Sequence, residues 1–473
     1  MATLGIDLGT GSVKAAVVSD DARVLAEASR SYEVAAPEPG WAESDPREWL
    51  SAAKEVVARV ASEVRSRVDG VGFSGQMHGV VVTDADLVPL LPAIVWADGR
   101  AAAEARELAK SFSQGDLAAL GSPAMPGFAA TTLKWLHRHR PEVMGCARFA
   151  LQPKDWLRAV LGGQVVTDPS DASGTLLYEV AAGTWSAAAI EWAGIDPELL
   201  PCVRDSSSEA GTVTFDDILS APAVVGGADT ACALAGLGLQ AGSGFIAVGT
   251  GSQTVSVLTG PSVDVTLVTH TFATLGAIGA GWYRLGAVQS AGLSLTKALA
   301  WLNADVDEAI AALREGVRSF DPIFIPYIAG ERTPFMDASL RGAWSGISLA
   351  TDRPAMLRSL LEGIGQAVAL GVEAVETTGA QLPTVVPLVG GGTYDSVFRQ
   401  LLANTTGHAL GVIEVPNVAA VGAALLAQGR TSVGTPMGVA AVIEPQPNVQ
   451  AMLHHRREMM KALVRRQQLE ESA

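Results

Sequence analysis

A short glycine-rich turn occurs twice in this chain, each time between runs of apolar and β-branched residues: LGTGSVKAAVV over residues 8–18 and VGTGSQTVSVL over residues 248–258. Placing Gly9 on Gly249 gives an offset of 240 residues, close to half of the 473-residue chain. Recurrence of the turn with its flanking strands predicts a duplicated domain. The division is expected near residues 238–244, giving units of 1–240 and 241–473. Residues 3–30 predict a meander of three strands, TLGID, VKAAVVS and RVLAEAS, joined by the Gly-Thr-Gly-Ser turn and an Asp-Asp turn. Helical patterns fall between strands in both halves. Residues 45–65 open on Asp45 as N-cap with Pro46 at the first helical position, and 352–378 repeat this with Asp352, Arg353 and Pro354. Strands alternating with helices give an α/β class. A last helix, 450–469, is basic and amphipathic, and Met452, Met459 and Leu463 are expected on the side that docks on the surface.

Composition narrows the partners. Lys and Arg total 33 against 49 Asp and Glu, a net charge of −16 that repels phosphate backbones and anionic lipid headgroups. Nucleic-acid and membrane roles are therefore disfavoured, and an anionic ligand such as ATP needs a local site of backbone N–H groups and a metal ion. Cys146, Cys202 and Cys232 are widely spaced and odd in number, which suits a reducing compartment. The opening MATLGIDLGT has no basic and apolar leader, so a cytoplasmic location is expected. Residues 218–244 are uncharged except for Asp229. A carboxylate at a bilayer centre costs roughly 2.5 to 3.5 kcal/mol, and the stretch also carries a Gly-Gly break, so it reads as strand, loop and helix.

Four places could carry chemistry. In the first turn, Asp7 ends a strand and the residues Gly9 to Ser12 can present successive N–H groups and the hydroxyls of Thr10 and Ser12 to an anion. Asp7 could hold Mg²⁺ through water. An ordinary tight hairpin accounts for either turn alone, whereas one copy per domain suits a polyphosphate gripped from two sides. A third glycine-rich element, VVPLVGGG at 385–392, runs from a strand toward a helix start at Asp395 or Ser396, with neither a Walker nor a dinucleotide fingerprint. Asp229, alone in its uncharged stretch at a strand-to-helix turn, is either a helix cap or an acid or base tuned by desolvation. His78, in GFSGQMHG at 72–79, stands at a strand's C-terminal end, where α/β folds bind ligands, although a lone histidine is equally a structural residue.

These residues, with PAIVWADGR at 92–100, MPGF at 125–128, PKDWLR at 153–158, SDASGT at 170–175, GGAD at 226–229 and GERTP at 330–334, resemble the FGGY carbohydrate kinases over nearly the whole chain. The resemblance implies two similar actin-like ATPase (ribonuclease H-like) domains with an interdomain cleft that closes on sugar and ATP. It implies that Asp229 is the general base, that Met77, His78, Asp229 and Thr230 line the sugar site, and that Asp7 assists Mg²⁺. Thr10, Gly11, Ser12 and Lys14 would hold phosphate from the first domain; Thr250, Gly292, Gly392 and Ser396 would hold nucleotide from the second. Lys14 reads equally as an exposed strand residue. Partners are then a small-molecule sugar and ATP, with a homodimer left open. The pair Met77 and His78 points to D-xylulose, phosphorylated to D-xylulose 5-phosphate. Thr230 and Ala97, where the family usually has amide side chains, leave another ketose or a pentitol open. A sugar-binding regulatory pseudokinase is the alternative of another class, and intact Asp229, Asp7 and both turns weigh against it.

Overall fold

The computed structural model describes residues 2–64, 68–393, 395–414, 417–432 and 438–471. The first Gly-Thr-Gly-Ser turn joins β1 (Ala2–Leu8) to β2 (Ser12–Ser19), which pair antiparallel with Asp7 opposite Lys14. β3 (Val24–Ser31) continues the meander, and β4 (Val68–Gly75) lies parallel to β1 on its other side. With β5 (Glu209–Phe215), β6 (Leu219–Val224) and the short β7 (Gly227–Ala228), which pairs with β4, these make a seven-stranded sheet of order β5-β6-β4-β1-β2-β3. Strand β1 is buried along its whole length.

The second sheet repeats this grammar. The later turn joins β8 (Gly244–Val248) to β9 (Ser252–Val257), again antiparallel. β10 (His270–Ala273) and β11 (Trp282–Val288) extend the antiparallel side, β12 (Val385–Val389) lies parallel to β8, and β13 (Ala409–Val412) and β14 (Ala441–Ile443) complete the order β10-β11-β9-β8-β12-β13-β14. Hairpin, third antiparallel strand and parallel partner therefore recur in both sheets, as the duplicated turn predicts.

Helices cover the sheets where their apolar spacing directs. α1 (Pro46–Glu63) starts at the expected cap: the Asp45 side chain accepts from Arg47 N, and Trp49, Ala52, Ala53, Val56, Val57 and Val60 form its buried stripe. The stretch around Asp229 becomes β6, β7 and α2 (Asp229–Leu237), as expected. In the second half, α3 (Gly292–Trp301), α4 (Arg353–Thr377) and α5 (Ser396–Thr406) surround the later sheet. α4 is the one helix among the described residues long and apolar enough to cross a membrane, and it is buried in the protein core.

Two features depart from the sequence reading. α6 (Val418–Ala427) comes from the second half but packs on β1, β4 and α2 of the first. The contact is backbone to backbone: a Cβ on Gly5 or Gly72 would stand 1.8 Å from the carbonyl oxygen of Ala420 or Ala423, so only glycine fits there. The last helix, α7 (Pro447–Glu471), packs Met452 and Leu463 against the core as expected, but it buries Leu453, Met460 and Val464 more deeply and leaves Met459 45% exposed. Its docking is not purely apolar, because Arg456 is buried too and its guanidinium pairs with Glu362 of α4 at 2.7 Å.

Candidate active site

The second turn, the start of α3 and the glycines after β12 enclose a cavity of about 400 Å³, lined by Gly249, Thr250, Gly292, Leu293, Thr296, Lys297, Gly391 and Gly392. Gly292 N donates to Gly249 O at 3.0 Å and Leu293 N to Thr250 O at 2.9 Å, which binds the turn to the helix. A Cβ on Gly292 would meet Gly249 O at 2.5 Å, so glycine is required at that approach. Three expected nucleotide residues, Thr250, Gly292 and Gly392, thus meet around one cavity, and Lys297 at its edge supplies a cation the sequence reading missed. Ser396 does not join them: it is the exposed first residue of α5, whose cap is Asp395, accepting from Val397 N at 2.7 Å. A larger cavity, about 920 Å³, is walled by Ala231, Leu234, Val257, Leu275 and Trp282 among others and has no charged side chain in its lining. That surface does not suit phosphates.

The first turn is stiffened by Gly9 N donating to Ser12 O at 3.0 Å and by the Tyr32 hydroxyl on Gly9 O. Trp96 Nε1 donates to Thr10 Oγ1 at 2.7 Å, so the threonine proton is left to point elsewhere. On the strand beside the turn, Asp7 is buried, accepts from Ser74 Oγ at 2.9 Å, and has its pKa raised by burial against the lowering effects of Lys14 and Ser74. Lys14 is half-buried rather than exposed and acts electrostatically on both Asp7 and Asp229.

Asp229 opens α2. Its Oδ1 accepts from Thr230 N at 2.6 Å and Thr230 Oγ1 at 3.2 Å, so the Thr230 proton is turned toward the carboxylate. Burial first, and then the charge of Asp7, push its pKa up to about 7. A carboxylate poised there can take a proton near neutrality. Asp7 also offers a buried carboxylate to a divalent cation. No cluster of three or more His, Cys, Asp or Glu suited to a metal occurs among the described residues, and Mg²⁺ commonly takes one or two carboxylates and completes its shell with phosphate and water.

Met77 and His78 follow β4, and His78 adopts φ 75°, a left-handed backbone rare for non-glycine residues. Its Nδ1 lies 2.7 Å from the Gly174 carbonyl, which can only accept, so Nδ1 carries the proton. Burial, then the charge of Arg332, hold its pKa down at about 3, so the ring is neutral and Nε2 is an acceptor. The imidazole stacks on Phe128 at 3.9 Å, and Tyr283 of the second sheet reaches Met77 Sδ with its hydroxyl at 3.6 Å. Arg332 also enters from the second half: its Nη2 donates to Trp96 O at 3.3 Å, its guanidinium lies 5.2 Å from the Trp96 ring, and its buried Nε has no hydrogen-bond partner. GERTP marked that segment in the sequence but gave no reason to select the arginine.

Duplicated α/β lobes, a glycine-lined cavity on one and a raised-pKa carboxylate at a strand-to-helix turn on the other define a phosphotransferase of the actin-like ATPase fold. Residues 2–236 match the N-terminal domain, and residues 243–428 the C-terminal domain, of the FGGY family of carbohydrate kinases. A xylulose kinase of Escherichia coli (strain K12) is 32% identical over 435 residues, 90% of this chain and 89% of the relative. A xyloylose kinase from Brucella ovis superposes with a TM-score of 0.89 at 29% identity, covering 98% of both chains. A gluconate kinase from Lactobacillus acidophilus shares the fold at a TM-score of 0.88 and 21% identity, covering 98% of this chain and 97% of its own. The chain belongs to the FGGY family of carbohydrate kinases and is an ATP-dependent sugar kinase.

Proposed function

We propose that this kinase phosphorylates D-xylulose on its terminal hydroxyl, giving D-xylulose 5-phosphate and ADP, with Asp229 as general base. The observation that carries the chemistry is Asp229 itself, whose pKa is pushed up to about 7 at the turn that opens α2. Kinship to the xylulose kinases and the Met77–His78 pair support the sugar. In this reading residues 1–240 supply the sugar site, Asp229 and the first turn, and residues 241–473 supply the nucleotide cavity.

The sugar's terminal oxygen attacks the γ-phosphorus as Asp229 Oδ2 accepts its proton, and the bond to the ADP oxygen breaks. Thr10, Gly11, Ser12 and Lys14 on one side, and Thr250, Gly292 and Gly392 on the other, offer donors to the phosphate oxygens. Asp7 would hold Mg²⁺, which supplies charge neutralisation on the nucleotide when bound. Furanose closure of D-xylulose consumes the oxygen to be phosphorylated, so the acceptor is the open-chain ketone. His78 Nε2 accepts from a sugar hydroxyl, and the unpartnered Arg332 N–H can donate to the keto oxygen. Filling buried polar groups in this way favours the ligand that matches them.

The test is kcat/KM for D-xylulose, D-ribulose, L-ribulose, gluconate and glycerol, measured by ADP release. D-Xylulose should give the highest value, and His78→Ala should lower it. A higher value for any of the others overturns the sugar assignment and directs attention to Thr230 and Ala97. The nucleotide reading has its own test. Thr10→Ala and Thr250→Ala should each weaken ADP binding in calorimetry by about 1 to 3 kcal/mol, the worth of a hydroxyl bond to a charged group. An unchanged Kd for Thr250→Ala would make the second turn a structural hairpin only.

A further inference from the structure

The segment 168–174 is fully buried and is tied to both halves of the chain. Asp168 caps the short helix Pro169–Ala172 and also accepts from Ser170 Oγ at 2.5 Å and Ser206 Oγ at 2.8 Å, both on Oδ2. Each serine gives its only proton to the carboxylate, so each oxygen is left to accept. Ser170 Oγ accepts from Ala228 N at 2.9 Å, the amide immediately before Asp229. Ser206 Oγ accepts from Gly276 N at 3.1 Å, and Ser173 Oγ from Ala273 N at 3.0 Å, both in the second half. Gly174 O takes the His78 proton. Lys154 Nζ lies 3.2 Å from Asp168 Oδ1 and holds that carboxylate in place.

We infer that Asp168 and Ser170 form a positioning unit that fixes the peptide preceding Asp229 and thereby aims the carboxylate at the sugar hydroxyl. The chain of bonds has one direction: the ion-paired Asp168 orients the Ser170 hydroxyl, and the oxygen so oriented pins Ala228 N at the end of β7. The inference rests on Asp229 being the base. Asp229 faces Asp7 of β1, Lys14 of β2 and Tyr283 of β11, with Thr230 on its own helix, and α6 packs against that helix without a charged side chain. Releasing Ala228 frees the peptide before Asp229 and lets the carboxylate swing off the line to the sugar hydroxyl.

The test compares kcat and KM of Ser170→Ala and Ser206→Ala. Ser170→Ala should lower kcat on the order of 10- to 100-fold, as small misplacements of reacting groups do, and should leave the KM for sugar and for ATP unchanged. Ser206→Ala loosens Gly276 instead and should keep kcat within about twofold. A wild-type kcat in Ser170→Ala, or an equal fall in both variants, overturns the inference. Should Ser170→Ala not fold, Ser170→Cys keeps the volume with a weak acceptor and should show the same fall, whereas Ser170→Thr keeps the hydroxyl and should restore kcat. Normal turnover in Asp229→Asn would instead remove the base assignment, leaving the two failures distinguishable.

Discussion

Asp229→Asn is expected to lower kcat at least about 10²-fold, the lower bound of what a positioned general base contributes, while sugar and ADP still bind. The amide fills the same space, and its oxygen can still accept from Thr230 N, which lies 2.6 Å from Oδ1 in the native chain. What is lost is the site for the hydroxyl proton. The wild-type kcat should fall as pH drops below about 7, because the raised pKa of Asp229 means the base is protonated on that side. The residual rate of the variant should lack that limb. Stopped-flow measurement of phosphoryl transfer across pH checks both, and near-wild-type turnover would remove Asp229 from the chemistry.

Lys154→Met should destabilise the fold by about 3 to 5 kcal/mol near neutral pH, the usual cost of stripping one partner from a buried ion cluster. Lys154 is fully buried, with Asp155 at 2.7 Å, Asp171 at 3.0 Å and Asp168 at 3.2 Å, and Arg158 Nη1 meets Asp155 at 2.9 Å. Burial opposes the lysine's charge, but the three carboxylates outweigh it and raise its pKa, while burial holds the Asp171 pKa well above the ordinary carboxylate range. Without Lys154, three carboxyls face one cation. The Asp171 pKa, already held above its unfolded value, rises further, so the loss of stability grows as pH climbs past about 4, the ordinary aspartate value. It should shrink again in acid. Urea unfolding of both proteins at several pH values reads this directly, and a pH-independent deficit would mean the lysine matters only as packing.

The duplicated turn made the two sheets legible, because the flanking β-branched runs and the Asp-Pro helix starts are local signals that the structure keeps. Asp229 stood out for a physical reason visible in one dimension, a single carboxylate within an uncharged stretch. Ser170, Ser206 and Arg332 did not. Each acts through a partner distant in sequence, Ala228, Gly276 and Trp96 respectively, and serines and arginines are too common for spacing to select them. Met459 was placed on the docking face of α7, which Met452 and Leu463 do share, for a related reason: Arg456 is buried against Glu362, and a rule that puts charge outside does not foresee it. The helix start after the three glycines falls on Asp395, one of the two residues the sequence offered, while Ser396, assigned to the nucleotide by resemblance alone, is an exposed first helical residue outside the cavity lining.

The placement of α6 has a bearing on how the chain is made. The face of the first sheet that presents Ala16 and Val18 is closed by Ala420, Val421, Ala424 and Leu425, so residues emerging from the ribosome in the first half have no complete core to enter. A nascent chain halted at residue 240 would carry that apolar face bare and would need a chaperone or remain protease-sensitive. Only after residue 427 clears the exit tunnel can the lobe bearing Asp229 close.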